Sequence, residues 1–246
     1  MIYQWLKNTL DLLYPPTCVL CGDRFVPNDA PAAPSPGGLC PGCREDLPQR
    51  DPACPACGVS QARMELCGAC RKRPPAQDSL WAAYPYHFPL DALLKGYKYR
   101  KLMHQGQALQ TLFLEAALGG MDRGVLRRPD LVIPVPLHAA KLRERGFNQS
   151  LELAAPIAKA LDLRIAPRLI RRVRATQSQT GLPHASRARN VRKAFQCRES
   201  VTGWTIALVD DVVTTGNTVG EVARVLKRAG AKRVDVWALA RTEKDL

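Results

Sequence analysis

Four cysteine pairs of the form C-x-x-C, all between residues 18 and 70, constrain the fold of this chain more than any other feature. Two thiolates at that spacing on a tight turn can bind one metal ion, and two such turns complete a tetrahedral zinc site. The pattern therefore predicts two zinc ions, whose four-thiolate shells leave no open position for substrate and favour a structural or binding role. The pairs are Cys18 with Cys21, Cys40 with Cys43, Cys54 with Cys57 and Cys67 with Cys70.

Disulfide bonds are the alternative use of these cysteines, and the N-terminal segment bears on the choice. Residues 1–18 carry Asp11 inside their apolar part and lack a small-residue cleavage site, unlike a secretion signal. We therefore expect a cytoplasmic protein in a reducing compartment, where this cysteine pattern favours metal. The spacing leaves open whether neighbouring pairs share a metal ion or whether the pairs interleave.

The same N-terminal segment places apolar side chains near one face of a helix over residues 2–13. That face either docks on the body of the protein or touches a membrane surface. No run of the chain reaches the roughly 18 to 20 apolar residues of a spanning helix, so we expect no transmembrane segment and any membrane association to be made through partners. The residues of this face are Ile2, Trp5, Leu6, Leu10 and Leu13.

The composition changes near residue 75 and divides the chain into two predicted domains. Fourteen of the 20 prolines and eight of the nine cysteines lie before residue 90, whereas long apolar-periodic segments follow it. A short, loop-rich segment buries too little apolar surface to fold on hydrophobic burial alone. We therefore predict that residues 1–75 form an N-terminal helix and a double zinc ribbon, and that residues 76–246 form a larger domain.

Strands and helices alternate in the predicted pattern of the larger domain. Between the last two predicted strands, Thr218 and Glu221 predict a capping box for a helix that Gly230 ends. Strand, loop, helix and strand in this order make a βαβ unit, which predicts an α/β fold with a parallel sheet flanked by helices. Residues 130–137 are predicted to be a strand that runs into a loop, 204–211 and 233–240 are predicted strands, and two further helices are predicted over 102–118 and 148–163.

The stretch VDDVVTTGNT, residues 209–218, is predicted to be a ligand site. Ligands of an open parallel sheet bind beyond the carboxyl ends of the strands, where Asp210 and Asp211 fall. Adjacent carboxylates suit either hydrogen bonds from a vicinal diol or contact with a hydrated Mg²⁺. The residues that follow approach a helix N-terminus, whose unpaired amides form an anion site. Diol acceptors beside a phosphate cradle predict a ribose 5-phosphate, the cradle being Thr214, Thr215, Gly216, Asn217 and Thr218.

The formal net charge of +14 indicates an anionic ligand or partner. Residues 164–198, called the basic stretch below, contain ten Lys or Arg and no Asp or Glu. Such a stretch attracts phosphate esters, pyrophosphate or nucleic acid, and the alternative is a solvated loop that aids solubility. Only Phe195 supplies an aromatic ring there, so any contact with DNA is expected to be made to phosphates and to weaken with salt.

Residues 208–218, LVDDVVTTGNT, resemble the phosphoribosyl pyrophosphate (PRPP) motif of type I phosphoribosyltransferases. With the four C-x-x-C pairs, PVPLHAAKLRERGFNQS and RARNVRKAF, the chain is similar to the ComF/GntX family of competence protein F-like proteins over nearly its whole length. This resemblance implies a zinc-ribbon region followed by a type I phosphoribosyltransferase-like domain. It also implies that Asp210 and Asp211 contact the ribose hydroxyls and that residues 214–218 hold the 5-phosphate.

Further site residues follow from the same resemblance. The loop after the first core strand corresponds to the pyrophosphate-binding loop, and the donors beside it are expected to bind the anion. Arg187 and Asn190 correspond to the hood or flexible-loop region, while Lys95, Lys98 and Tyr99 either contribute from the opposite side or form a basic helix end. The loop residues are Pro134, Val135, Pro136 and Leu137, and the donors are Arg143, Arg145 and Asn148.

The resemblance implies a role in natural transformation or in the use of DNA as a nutrient. One hypothesis is a Mg²⁺-dependent phosphoribosyltransferase that acts on an acceptor the sequence does not identify. The other is a non-catalytic protein that handles single-stranded DNA and whose pocket senses a phosphoribosyl ligand. The DNA-uptake machinery is the expected partner, and no catalytic residue is assigned from the sequence.

Overall fold

Two compact units make up the residues that the computed structural model describes, which are 17–25, 38–174 and 191–243. Unit 1 contains 17–25, 38–48 and 87–112, and unit 2 contains the remaining described residues. This division into units does not test the domain boundary near residue 75, which stays a prediction.

Unit 2 is built on a parallel β-sheet. In chain order the strands are Ser79–Pro85 (β1), Leu131–Pro134 (β2), Arg164–Ile165 (β3), Ile170–Arg172 (β4), Phe195–Cys197 (β5), Thr205–Val213 (β6) and Arg233–Arg241 (β7). Five of them form one sheet in the order β1-β7-β6-β2-β3, in which every neighbouring pair is parallel. β4 and β5 form a separate antiparallel pair. The predicted α/β fold with a parallel sheet is confirmed.

The central strand β6 explains why its sequence is a continuous apolar run. Val209 pairs with Pro134 of β2 on one side and with Trp237 of β7 on the other. Because both faces of a parallel sheet are covered, its inner strands need apolar residues at successive positions. β6 extends two residues beyond the predicted strand 204–211, so Asp210 and Asp211 lie inside the strand.

Helices α6 and α7 pack on this sheet. Leu153 and Ile157 of α6 are fully buried, and Val219, Val222 and Leu226 of α7 join the apolar cluster of the sheet. The helices predicted over 102–118 and 148–163 are confirmed as α4 and α6. Within the described ranges the helices are Pro41–Glu45 (α1), Gly68–Lys72 (α2), Leu90–Arg100 (α3), Met103–Asp122 (α4), Ala139–Arg145 (α5), Gln149–Ala160 (α6) and Asn217–Arg228 (α7).

The start of α7 differs from the prediction. Its N-cap is Gly216, which has a φ of 77°, and the helix begins at Asn217, before the predicted cap at Thr218. The Glu221 carboxylate accepts a hydrogen bond from the backbone N–H of Lys193 at 2.8 Å. The predicted capping box is therefore wrong, because Glu221 anchors the chain that enters β5.

The apolar helical face predicted for residues 2–13 lies outside the described residues. Over the ranges that the structure describes, no helix combines the length and the apolar character required to cross a membrane.

Two neighbouring glycines allow a test of packing at the end of α7. Gly230 has a φ of 97° and Gly203 a φ of 82°, and the N–H of Gly203 donates to the carbonyl of Gly230 at 3.0 Å. A Cβ at Gly230 would lie 2.5 Å from Oγ1 of Thr202, whereas one at Gly203 meets nothing within 4 Å. We expect Gly203→Ala to lower the free energy of unfolding by about 1–2 kcal/mol through backbone strain. Gly230→Ala should lower it by about 1–3 kcal/mol more through overpacking.

Urea unfolding followed by tryptophan fluorescence measures both values. Equal losses for the two variants would contradict the steric argument, because both glycines have left-handed backbone angles and only one has a close neighbour.

Candidate functional site

Two clusters of four cysteines lie in the N-terminal part of the chain. In the first cluster the sulfur atoms of Cys18, Cys21, Cys40 and Cys43 all lie within 4.8 Å of one another, and in the second cluster those of Cys54, Cys57, Cys67 and Cys70 do the same. The sequence left the pairing open. The structure combines pairs that are neighbours in sequence, and it does not interleave them.

The two clusters repeat one local geometry. The third cysteine of each cluster precedes a short helix and donates its backbone N–H to the sulfur of the first cysteine. This N–H···S distance is 3.4 Å both from Cys40 to Cys18 and from Cys67 to Cys54. Amides that donate to sulfur favour the charged thiolate.

The amide contacts shift the ionisation of one thiol in each cluster. Burial acts to raise the pKa of Cys18, but backbone N–H groups, that of Cys40 foremost, outweigh burial and lower this pKa to about 6. The same balance, with Cys67 as the foremost donor, lowers the pKa of Cys54 to about 7. Each cluster therefore favours a thiolate near neutral pH, which is the form that binds metal.

The sulfur separations match a tetrahedral zinc ion. Sγ of Cys21 lies 3.8 Å from Sγ of Cys40, and Sγ of Cys57 lies 3.8 Å from Sγ of Cys67. A Zn–S bond of about 2.3 Å places the sulfurs of a tetrahedral site about 3.8 Å apart. Both cysteine tetrads thus fit structural zinc sites.

The second cluster covers the outer edge of β1 in unit 2. The N–H of Leu80 donates to the carbonyl of Pro55 at 2.8 Å. The partly buried side chain of Arg50 donates to the carbonyls of Ala82 at 2.9 Å and Gly58 at 2.6 Å. β1 is an edge strand, so these bonds satisfy backbone groups that have no strand beside them.

A pocket lies at the carboxyl end of β6, and its empty space, including the part that is open to solvent, is about 240 Å³. β2 and β6 are neighbours in the sheet, but the strand that follows each of them lies in the opposite direction along the strand order, with β3 next to β2 and β7 next to β6. Strands that diverge in this way open a crevice at their carboxyl ends, where α/β proteins bind ligands. The pocket is lined by Asp210, Val212, Val213, Thr214, Thr215, Gly216, Asn217, Thr218 and Val219.

Asp210 and Asp211 are buried, with 8% and 4% of their surface exposed, and each carboxylate accepts a backbone hydrogen bond. Oγ of Ser150, on α6, also donates to Oδ1 of Asp210 at 3.0 Å. Successive residues of a strand face opposite sides of a sheet, and of the two acids it is Asp210 that lines the pocket. Sequence reasoning missed Ser150, because nothing in the sequence of α6 distinguishes it from a solvent-facing serine.

The loop of residues 214–218, called the phosphate loop below, turns from β6 into α7. Gly216, the N-cap residue, takes the left-handed conformation there and has no side chain to cap the helix, while Oγ1 of Thr215 accepts from the N–H of Asn217 at 3.4 Å. Nδ2 of Asn217 is buried and has no hydrogen-bond partner within the described part of the chain. A buried donor without an acceptor costs about 1–3 kcal/mol, which an anion bound at the loop would offset.

Arg172 on β4 adds a cation close to Asp210. Burial lowers the pKa of its guanidinium, and the negative charge of Asp210 opposes that shift. The guanidinium lies over the ring of Phe195 at 5.5 Å. Its neighbours Arg171 and Arg174 are exposed, so the basic stretch supplies both a partly buried cation and a solvent-facing pair.

The predicted pyrophosphate loop, residues 134–137, follows β2 beside β6. The N–H of Val135 donates to the carbonyl of Val209 at 2.8 Å, and Nδ2 of Asn148 donates to the carbonyl of Val135 at 3.2 Å. Oδ1 of Asn148 also accepts from the N–H of Ser150 at 3.1 Å and caps α6. Asn148 thus joins the loop to α6, and its contact with an anion stays a prediction.

The remaining candidates have separate positions. Arg143 and Arg145 lie on α5, where Arg143 is exposed and Nη1 of Arg145 donates to Oε1 of Gln149 at 2.6 Å. Their contact with pyrophosphate stays a prediction. Arg187 and Asn190 lie outside the described residues, and Lys95, Lys98 and Tyr99 lie in unit 1 on α3.

Two protein-family models match the chain. The double zinc ribbon domain matches residues 9–71, and the phosphoribosyl transferase domain matches residues 148–245. The first range contains both cysteine clusters, and the second contains Asp210, Ser150 and the phosphate loop.

Curated proteins are similar to this chain over most of their length. The DNA utilization protein YhgH of Salmonella typhimurium is 38% identical over 94% of this chain and 99% of its own. Competence protein F of Haemophilus influenzae is 32% identical over 83% of this chain and 90% of its own. Competence protein ComFC of Bacillus subtilis is 28% identical over 83% of this chain and 84% of its own.

Metal content tests the arrangement of the clusters. We expect about two zinc ions per chain, and about one in the double variant Cys21→Ser, Cys40→Ser, because both substitutions fall in the first cluster. The variant Cys57→Ser, Cys67→Ser should also keep about one. Elemental analysis of the purified protein gives these values, and loss of both ions in either variant would contradict the observed pairing.

Proposed function

Because the chain belongs to the ComF/GntX family, we propose that it binds PRPP in the pocket at the end of β6 and acts in the uptake or use of DNA. One observation carries the proposal: Asp210 and the phosphate loop line the same pocket, and Ser150 holds the carboxylate. The names of the relatives, DNA utilization protein and competence protein, support the role with DNA.

The two parts of the pocket suit a pentose 5-phosphate. The carboxylate of Asp210 accepts hydrogen bonds from ribose hydroxyls, while the phosphate loop and the N-terminus of α7 supply donors to the phosphate. Nδ2 of Asn217, which lacks an acceptor among the described residues, is available as a further donor. Since Ser150 already orients Asp210, less conformational freedom is lost when the sugar binds.

We assign the pyrophosphate of PRPP to the side of the crevice formed by residues 134–137. Arg172, whose guanidinium interacts electrostatically with Asp210, adds positive charge near the pocket. A bound Mg²⁺ would supply charge neutralisation for the anionic ligand. Oxygen ligands are the ones that Mg²⁺ prefers, and the carboxylate of Asp210, the acid that lines the pocket, would provide one.

Transfer of the phosphoribosyl group would break the bond between C1 and the pyrophosphate oxygen and form a bond from C1 to the acceptor. In that reaction Asp210 holds the sugar in position, and cationic side chains stabilise the departing pyrophosphate. A screen for PRPP-dependent pyrophosphate release over bases, nucleotides and DNA ends separates an enzyme from a sensor. Release with one acceptor class identifies a transferase, and binding without release identifies a sensor.

Replacement of the two acids tests the pocket. We expect Asp210→Asn, Asp211→Asn to raise the Kd for Mg-PRPP by about 100-fold, since each hydrogen bond to a charged group contributes about 1.5–3 kcal/mol. Isothermal titration calorimetry of the full chain measures the change. If the variant bound Mg-PRPP with the same affinity as the wild type, the assignment of PRPP to this pocket would be wrong.

A pair of serine variants provides the matched control. Ser150→Ala should weaken binding by about fivefold to tenfold, because the Asp210 carboxylate loses a donor. Ser200→Ala, at an exposed hydroxyl that bonds to Thr202 and is absent from the pocket lining, should leave the Kd unchanged.

The exposed arginines of the basic stretch test the DNA contact. Arg171→Ala, Arg174→Ala should lower affinity for single-stranded DNA and reduce the slope of log Kd against log salt by about one to two, because phosphate contacts release counterions. The exposed pair Arg228 and Lys232 gives control variants that should leave both quantities unchanged. Fluorescence anisotropy at several salt concentrations measures them, and a flat salt response in the wild type would contradict a phosphate-driven contact.

A further inference from the structure

Arg241, the last residue of β7, connects the second cysteine cluster to the phosphate loop. Its side chain is buried, with 3% exposed. Nε donates to the carbonyl of Cys57 at 3.0 Å, while Nη1 donates to the carbonyl of Val213 at 3.1 Å and to that of Thr214. One guanidinium therefore joins a metal-ligand residue to the first residue of the phosphate loop.

The cluster side of this connection is rigidly supported. Cys57 and Gly58 form one turn, and Arg50 donates to the carbonyl of Gly58 at 2.6 Å. A Cβ at Gly58 would lie 2.5 Å from Cδ2 of Leu80, so the turn lies against β1 with no spare space. Four thiolates around one Zn²⁺ carry a net charge of about −2, which favours a buried cation beside them.

The loop side fixes the direction of backbone donors. The peptide group is planar and trans, so a carbonyl and the N–H of the next residue point in opposite directions. When Arg241 holds the carbonyl of Thr214, it also sets the direction of the N–H of Thr215, which lines the pocket. Oγ1 of Thr242 donates to the same carbonyl at 3.3 Å.

We propose that Arg241 is a positioning residue that makes the order of the phosphate loop depend on metal in the second cluster. The proposal rests on the proposed function, since it concerns the affinity of the same pocket. With metal bound, the Cys57 turn is fixed and Arg241 aligns the loop amides for a phosphate. Without metal, the turn loses its position, Arg241 loses an acceptor, and the loop amides lose their alignment.

Hydrogen exchange tests the connection without any ligand. In the full chain we expect the amides of residues 214–218 to exchange about tenfold faster in Cys57→Ser, Cys67→Ser than in the wild type. The matched variant of the first cluster, Cys21→Ser, Cys40→Ser, should leave them unchanged. Equal exchange in both variants, or no change in either, would overturn the proposal.

A double-mutant cycle on the Kd for Mg-PRPP tests the role of Arg241 itself. Arg241→Gln should weaken binding by about tenfold, and adding Cys57→Ser, Cys67→Ser should weaken it no further, because the connection is already lost. Additive losses would show two independent effects and overturn the proposal. Arg233→Gln is the control, since Arg233 is at the other end of β7 and its side chain bonds to Asp235, and it should change the Kd less than threefold.

Two further measurements keep the outcomes separate. If Arg241→Gln does not fold, Thr242→Val removes the other side-chain contact to the Thr214 carbonyl, and it should speed loop exchange by about threefold. No effect of Thr242→Val on the loop would count against the proposal. If hydrogen exchange of the phosphate loop depends on metal but the protein does not bind PRPP, the proposed function is wrong and the positioning role of Arg241 stands. If the protein binds PRPP but exchange of the loop does not depend on metal, the proposed function stands and the positioning role is wrong.

Discussion

Parallel pairing of β6 with β2 on one side and with β7 on the other is the constraint on which the site depends. Because parallel strands end at the same edge of a sheet, this pairing brings the last residues of three strands together. Asp210 pairs with Ala238 and Val213 with Arg241. The register of the β6–β7 pair thus places the phosphate loop and its supporting arginine side by side, although the two are more than 20 residues apart in the chain.

Much of the fold follows from local patterns in the sequence. Buried parallel strands such as β6 need continuous apolar runs, and α6 and α7 carry the apolar period of surface helices, so both kinds of element are readable from sequence alone. β1 is harder to predict, because an edge strand of seven residues, four of them partly exposed, has no distinctive period. β4 and β5 are three residues each, and their pairing depends on contacts distant in sequence that no local pattern records.

Some residues of the site can be predicted from local sequence patterns, and others only from the tertiary structure. The residue types of the phosphate loop and of the cysteine pairs identify their chemistry, since few other ligands suit those groups at those spacings. Ser150 and Arg172 become site residues only when folding brings α6 and β4 close to Asp210. Glu221 follows a capping-box spacing yet bonds to Lys193, because a tertiary contact displaced the local one.

The contacts that the second cluster makes with the outer edge of β1 affect the tendency of the protein to self-associate. Among the described strands β1 pairs with β7, and its other edge bonds to Pro55 and Arg50. An uncovered edge strand is a template for pairing with another chain. Metal loss that loosens this cover would therefore expose a strand edge able to pair with another chain, which links the second cysteine cluster to the solubility of the protein.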